Sequence, residues 1–155
     1  MKTEVICLGK LKEQYLKDTV NEYEKRLGRY TKLTIKELTD EKTTANPNQS
    51  EIEIVKAKEG ERVLSKLLHL KGYTVFPLAQ DGKALTSRGF ANLIDENPRC
   101  VFIIGGSHGL SSAVLSVGNP ISFSPMTFPH QMMRVILLEQ IYRSYKILNN
   151  EPYHK

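Results

Sequence analysis

Cysteine is scarce in this chain: only Cys7 and Cys100 occur, in the apolar runs Val5-Ile6-Cys7-Leu8 and Cys100-Val101-Phe102-Ile103-Ile104. Thiols set in strand-like runs read as buried free cysteines in a reducing compartment, not as a disulfide framework or a nucleophile. Long apolar runs are missing as well. No stretch approaches the roughly 20 residues a membrane-spanning helix needs, and the first apolar run is too short for the core of a signal peptide. The expected location is therefore the cytoplasm. The four histidines, His69, His108, His130 and His154, show no metal-ligand spacing. With no cysteine pairs beside them, no metal is expected. Neither a dinucleotide fingerprint nor a Gly-Lys-Ser/Thr phosphate loop is present. No serine stands in a nucleophile elbow and no paired acids stand at the predicted strand ends, so those enzyme classes lose their support.

What remains is a chain of 155 residues, 40% of them hydrophobic. That is the size of one domain, with enough apolar surface to build a core without staples. Lysine and arginine outnumber acids by 22 to 17, for a net charge of +5. A positive excess of this size favours a polyanionic partner, because neutralising phosphates releases counterions.

Glu4-Val5-Ile6-Cys7-Leu8 predicts a short buried strand ended by Gly9. From Glu13 to Leu27, Leu16, Val20, Tyr23 and Leu27 fall on one face of a helix that Gly28 is placed to end. Leu33 to Leu38 alternates as a strand. Thr39 to Gln49, with Asn46-Pro47-Asn48, reads as a loop. Ser50 and Glu53 have the spacing of a capping box, opening a helix towards Leu68 with Gly60 as its weak point. Tyr73 to Leu78 predicts a third strand, which Pro77 would end or confine to an edge. Asp81-Gly82 marks a turn, and Thr86 is a plausible N-cap for a helix carrying Phe90, Leu93 and Ile94. Cys100 to Ile104 is uninterrupted apolar sequence, as a parallel strand covered on both faces requires. Ile121 to Phe123 predicts a further strand, and a long helix runs to about Leu148. Strands alternating with helices predict a single α/β domain, with a mainly parallel sheet and helices on both faces.

Ligands in such sheets sit beyond the carboxyl ends of the strands. Three ends stand out: Leu78, Gly105-Gly106, and Phe123 to Phe128. In the last helix, steps of about 100° from Arg134 place Leu138, Ile141, Tyr145 and Leu148 within about 40° of it. Arg134 thus lies in the middle of the apolar face, where a guanidinium must meet an anion. It either reaches along its stem to a carboxylate of the chain or points into a site; the balance favours a site. Met133, Val135, Leu137 and Tyr142 widen the apolar arc, which predicts a second covering surface and hence a two-fold homodimer. The ending Pro152-Tyr153-His154-Lys155 carries a ring able to stack on a base and a ring able to move a proton.

Several blocks resemble one family. They are Val101-Phe-Ile-Ile-Gly-Gly-Ser-His-Gly-Leu110, then Ser122-Phe-Ser-Pro-Met-Thr-Phe-Pro-His-Gln-Met-Met-Arg134, Glu139-Gln-Ile-Tyr-Arg143 and Pro152-Tyr153-His154. With Leu8-Gly9-Lys10-Leu11-Lys12 and Tyr23-Glu24-Lys25-Arg26-Leu27, they are similar to the ribosomal RNA large-subunit methyltransferase H family of the SPOUT class over essentially the whole chain.

That resemblance implies S-adenosyl-L-methionine as cofactor, a deep C-terminal trefoil knot and a homodimer. It also implies methylation of N3 of a pseudouridine in large-subunit (23S) ribosomal RNA within the ribosome. General rules of chain topology argue against a knot, so that expectation rests on the family alone. Carried over residue by residue, the cofactor site comprises Leu78, Gly105, Phe123, Ser124, Pro125, Met126, Thr127 and Phe128. The catalytic group comprises Arg134, Tyr153 and His154, with the tail expected from the partner subunit. The residues by themselves leave open a SPOUT enzyme of another RNA, such as tRNA, and a non-catalytic ribosome-binding module.

Overall fold

The computed structural model describes every residue, Met1–Lys155. In chain order the elements are β1 (Lys2–Leu8), α1 (Gln14–Leu27), β2 (Lys32–Leu38), α2 (Gln49–Leu67) and β3 (Thr74–Ala84), then α3 (Ser87–Glu96), β4 (Arg99–Ile104), α4 (Ser112–Ser116), β5 (Ile121–Ser122) and α5 (His130–Leu148). The strands form one sheet in the order β2-β1-β4-β3-β5, and every pairing is parallel.

The two most apolar runs take the two most enclosed places. Successive side chains of a strand point to opposite faces, and here both faces are covered. Val5, Cys7, Cys100, Phe102 and Ile104 enter one core with residues of α1, α3 and α5. Ile6, Leu8, Val101 and Ile103 enter a second core with Val63 of α2 and Val114 of α4. Phe90 and Phe102 stack in tilted fashion at 5.4 Å between ring centroids. Each fully buried side chain of this size contributes about 1.5–3 kcal/mol of transfer free energy. β2, whose side chains are mostly exposed or half-buried, forms one edge.

Local signals were correct in kind and sometimes displaced. The capping box of α2 lies two residues before the expected one: Asn48 Oδ1 accepts from the Glu51 N–H at 2.8 Å, and Glu51 Oε1 accepts from the Asn48 N–H at 3.4 Å. Asn48 holds the extended backbone of an N-cap, and Ser50 is already inside the first turn. Gly28 ends α1 at φ −57°, so it serves no left-handed cap. Thr86 caps α3 as expected, its Oγ1 accepting from the Gly89 N–H at 3.0 Å.

Pro77 is neither at an edge nor a terminator: β3 lies between β4 and β5 and continues past it. Backbone polar groups alternate sides along a strand, and the Val75 carbonyl faces the β5 side, where it accepts from the Asn119 N–H. Pro77 faces that side too. The N–H it lacks would point at the Gly118 crossing and not into the β4 ladder.

That crossing defines the topology. Asn119 N–H donates to Val75 O at 2.9 Å, on the outgoing limb of the 75–85 segment. Lys83 N–H donates to Pro120 O at 3.0 Å and Leu85 N–H to Ser122 O at 3.2 Å, on a second limb that runs in the same direction. Asn119 therefore bonds to one limb and Pro120 and Ser122 to the other, and Ile121 pairs with both Leu78 and Lys83. The C-terminal segment is threaded between those limbs, the arrangement on which a C-terminal knot is built. Two glycines make room. A Cβ on Gly118 would stand 2.5 Å from the Val75 carbonyl oxygen, and one on Gly82 would stand 2.8 Å from backbone atoms of Ile121.

Gly118→Ala is expected to lower unfolding free energy by about 1–3 kcal/mol through overpacking at the crossing. Gly28→Ala, whose Cβ meets nothing closer than 3.4 Å, should stay within about 0.5 kcal/mol of the native chain. Equilibrium urea unfolding reads both, and equal stabilities would show that the crossing has slack.

Candidate functional site

β4, β3 and β5 are consecutive in the sheet, so their carboxyl ends open side by side. Pro77 pairs with Ile103 and Leu78 with Ile121, which sets Leu78 level with the end of β4 and the start of the 123–128 loop. The three segments expected to hold a cofactor are thus neighbours. The loops also touch: Gln80 Nε2 donates to Thr127 Oγ1 at 2.6 Å. Within the 123–128 loop, Ser124 Oγ accepts from the Met126 N–H at 3.0 Å, and Ser122 Oγ donates to the Ser124 carbonyl at 3.0 Å. Phe123 is anchored edge-to-face on Phe90 at 5.0 Å.

The lining matches a flat, partly polar ligand. Leu78 and Phe123 are half-buried against the core, while Met126 and Phe128 project at 68% and 38% exposure. Exposed apolar side chains grouped at strand ends are what a bound ring would cover. A Cβ on Gly105 would lie 2.8 Å from the Gly109 carbonyl carbon, so the Gly105–Gly109 turn closes on itself only because that position is bare. The Ser107 and His108 N–H groups find no acceptor in the chain. Apolar side chains for a ring and main-chain groups for its polar edge are both present, so these residues fit a nucleoside-bearing cofactor such as S-adenosyl-L-methionine. The cavities of about 350 and 420 Å³, lined by Met1, Lys2 and Arg99 and by Glu41, Ile54 and Lys58 respectively, lie elsewhere.

Arg134, in the first turns of α5, is 4% exposed. Its Nη1 donates to Glu37 Oε2 at 2.5 Å and its Nη2 to the Gly9 carbonyl at 3.2 Å. The anion that its burial demanded is therefore a carboxylate of β2, the reading that the sequence balance had placed second. The pair stands at the carboxyl ends of β1 and β2, next along the sheet from the Gly105 turn. His130 begins the same helix. Burial, with Arg134 and Lys12 adding to it and Asp40 opposing, holds its imidazole below the ordinary range. No sequence pattern pointed to Glu37, which needed the β1–β2 register to reach Arg134.

The tail is folded back on the far end of α5. Tyr30 Oη donates to Glu151 Oε1 at 2.8 Å, and Lys146 Nζ to Glu151 Oε2 at 3.1 Å. Tyr153 lies edge-to-face on Tyr142 at 5.1 Å, with the Arg143 guanidinium 4.9 Å above its ring. Arg143 Nη1 lies 3.1 Å from His154 Nδ1. Burial, and then the bond with Tyr23, pushes the Tyr153 phenol up to about 12, so it stays protonated near neutrality. At 1.5 Å per residue, Arg143 stands about 20 Å along α5 from His130. The structure gathers Leu78, Gly105 and 123–128, sets Arg134 beside them, and leaves Tyr153 and His154 of the same chain remote.

The wide apolar arc of α5 is met within the chain, by α1 and by α3 on its flanks. Cys7 and Cys100 are free and buried, and burial raises both thiols to about 11. No group of three or more potential metal ligands occurs. No helix is long and apolar enough to cross a membrane.

A family profile described as "Predicted SPOUT methyltransferase" matches residues 1–154. Among curated relatives, the Ribosomal RNA large subunit methyltransferase H of Clostridium beijerinckii (strain ATCC 51743 / NCIMB 8052) is 51% identical over 163 residues, covering 100% of both chains. Among solved structures, TrmJ from Z. mobilis ZM4 superposes with a TM-score of 0.53 over 99% of this chain and 72% of that one. At 12% identity that likeness bears on the fold alone.

A double-mutant cycle on Arg134→Met and Glu37→Gln should give a coupling of about 1–3 kcal/mol in unfolding free energy. Additive single variants would mean the pair contributes nothing. The two thiols should resist a disulfide reagent at neutral pH in the folded protein and react together once it unfolds.

Proposed function

The chain belongs to the SPOUT methyltransferases, within the ribosomal RNA large-subunit methyltransferase H family, and on that premise we propose that it N3-methylates a pseudouridine of large-subunit ribosomal RNA, using S-adenosyl-L-methionine. The observation that carries this reading is the adjacency of Leu78, Gly105 and the 123–128 loop at the carboxyl ends of three neighbouring strands. When bound there, the cofactor supplies an electrophilic methyl group. The protein's part is to orient, to exclude water and to manage one proton.

Leu78, Phe123, Met126 and Phe128 cover the ring of the donor, and main chain at Gly105, Ser124, Pro125 and Thr127 meets its polar edge. The threaded β5 fixes the loop before binding, which limits the ordering cost. Arg134 stands one strand away, paired with Glu37 and the Gly9 carbonyl; exchanging Glu37 for the substrate would let it favour the anionic form of N3 or grip a flanking phosphate. The imide proton must leave N3. A Tyr153 phenol held near 12 is a hydrogen-bond donor and not a base, so it positions the uracil carbonyls, and His154 is left to accept or relay the proton.

These roles require Tyr153 and His154 to reach a site about 20 Å away along α5. A second copy of the chain supplies them if the enzyme is a homodimer with each site shared between subunits. The net charge of +5 suits the ribosomal partner.

Calorimetry with S-adenosyl-L-methionine should show saturable binding, and ribosomal RNA from a deletion strain should lack one methyl group on a pseudouridine by mass spectrometry. A chain ending at Glu151 should keep donor binding and lose methylation. Mixing it with an equal amount of an Arg134→Met chain should restore about a quarter of native activity, since half the dimers are mixed and each keeps one complete site. A truncated chain that methylates at the native rate would remove the tail from the mechanism.

A further inference from the structure

Glu59 of α2 is 4% exposed. It lies between Val55 and Val63 on the stripe that α2 buries. Its Oε2 accepts the Glu41 N–H at 2.9 Å. Its Oε1 is equally sealed from solvent and has no donor. Against it stands the Gly105–Gly109 turn: a Cβ on Gly106 would be 3.2 Å from Oε1 and 3.3 Å from Oε2. The next residues of the turn, Ser107 and His108, carry N–H groups without acceptors.

A buried acceptor lacking a donor thus faces a turn whose donors lack acceptors. A buried acceptor is costly to leave unmatched and is seldom left so in a folded protein, whereas Ser107 is exposed and His108 half-buried, so their N–H groups are free to move. A small adjustment of the turn would bring one of them to Oε1. The helix beneath is fixed, because Gly60 packs so closely on α4 that a Cβ would stand 2.5 Å from Ser111 Oγ.

Resting on the donor site described above, we propose that Glu59 is a positioning residue for the methyl donor, its carboxyl group setting the Gly105–Gly109 turn against the 39–44 loop in the shape that receives the nucleoside. Oε2 holds the loop through Glu41, and Oε1 takes a main-chain N–H of the turn. Glycine at 106 leaves the carboxyl group room, since a Cβ there would crowd its two oxygens at 3.2 and 3.3 Å.

The charged groups facing Glu59 are Asp40 from the loop, Arg62 from its own helix and His108 from the turn. Burial dominates and, with Asp40, holds the carboxyl group above its ordinary range, while the Glu41 N–H, Arg62 and His108 pull the other way. Protonation on acidification turns an acceptor into a donor. Donor affinity in the native chain should therefore fall as pH drops through this raised range, and a glutamine should abolish that limb.

The test is calorimetry of S-adenosylhomocysteine on the full-length native, E59Q and E59A chains across about pH 5 to 8, with thermal unfolding alongside. Both variants should bind about tenfold more weakly at neutral pH, as expected for one lost buried hydrogen bond to a charged group. E59Q should also lack the acid-side loss, and the difference between native and E59Q cancels the contribution of every other group. If E59A does not fold, the isosteric E59Q carries the test. Variants binding within about twofold of native with an unchanged pH profile would reduce Glu59 to a packing residue and overturn the inference. A native chain that takes up no nucleoside would overturn the methyltransferase reading, and this inference with it.

Discussion

Two residues of strand, Ile121 and Ser122, are held from both sides by one loop. With Asn119 and Pro120 before them, they bond to Val75 on one limb and to Lys83 and Leu85 on the other, which leaves the 119–122 segment no free edge, and backbone groups so enclosed must be paired or costly. Much else follows from that clasp. It delivers the 123–128 loop to the mouth of the sheet and fixes the start of α5. It also turns the 78–84 segment into one wall of the candidate site. Gly82 and Gly118 are the concession that makes the clasp possible, because backbone there passes at distances that a methyl group would fill.

The same constraint explains the division between rigid and remote parts of the candidate active centre. The loops of the candidate donor site sit on strand ends packed on both faces. Arg134 is tied by Glu37 and Gly9 to the ends of β2 and β1. The tail is fixed just as firmly, by Glu151 between Tyr30 and Lys146 and by the Arg143–Tyr153 stack, but at the opposite end of α5. The chain thus holds Tyr153 and His154 at one end of α5 and its strand-end loops at the other.

Arg134 and Glu59 show two ways in which charge is buried here. Arg134 meets a partner carboxylate that keeps 37% of its side-chain exposure, so the pair is solvated from one side and its desolvation cost is moderated. Glu59 has half its hydrogen-bonding capacity used and half waiting. The first arrangement is complete as it stands, whereas the second is finished only by movement of the turn above it.

What the sequence determined by itself was whatever depends on neighbours in the chain. Alternation and apolar runs located β1 and β4, 3.6-residue spacing located α1 and α5, and Thr86 announced α3. The blocks around Gly105, Phe123–Arg134 and Tyr153 were distinctive enough to name a family. Glu59 was also legible, since Val55, Glu59 and Val63 recur every four residues on one helical stripe, though a lone acid among apolar neighbours is easily read as solvent-facing. Only the tertiary structure decided what depends on residues distant in sequence. Glu37 reaches Arg134 across 97 positions, Pro77 turned out interior because β5 returns beside it, and α5 spends its wide apolar arc on α1 and α3. Local pattern reports which faces are apolar; which surfaces meet them is set by the order and threading of the strands, and no local window contains that.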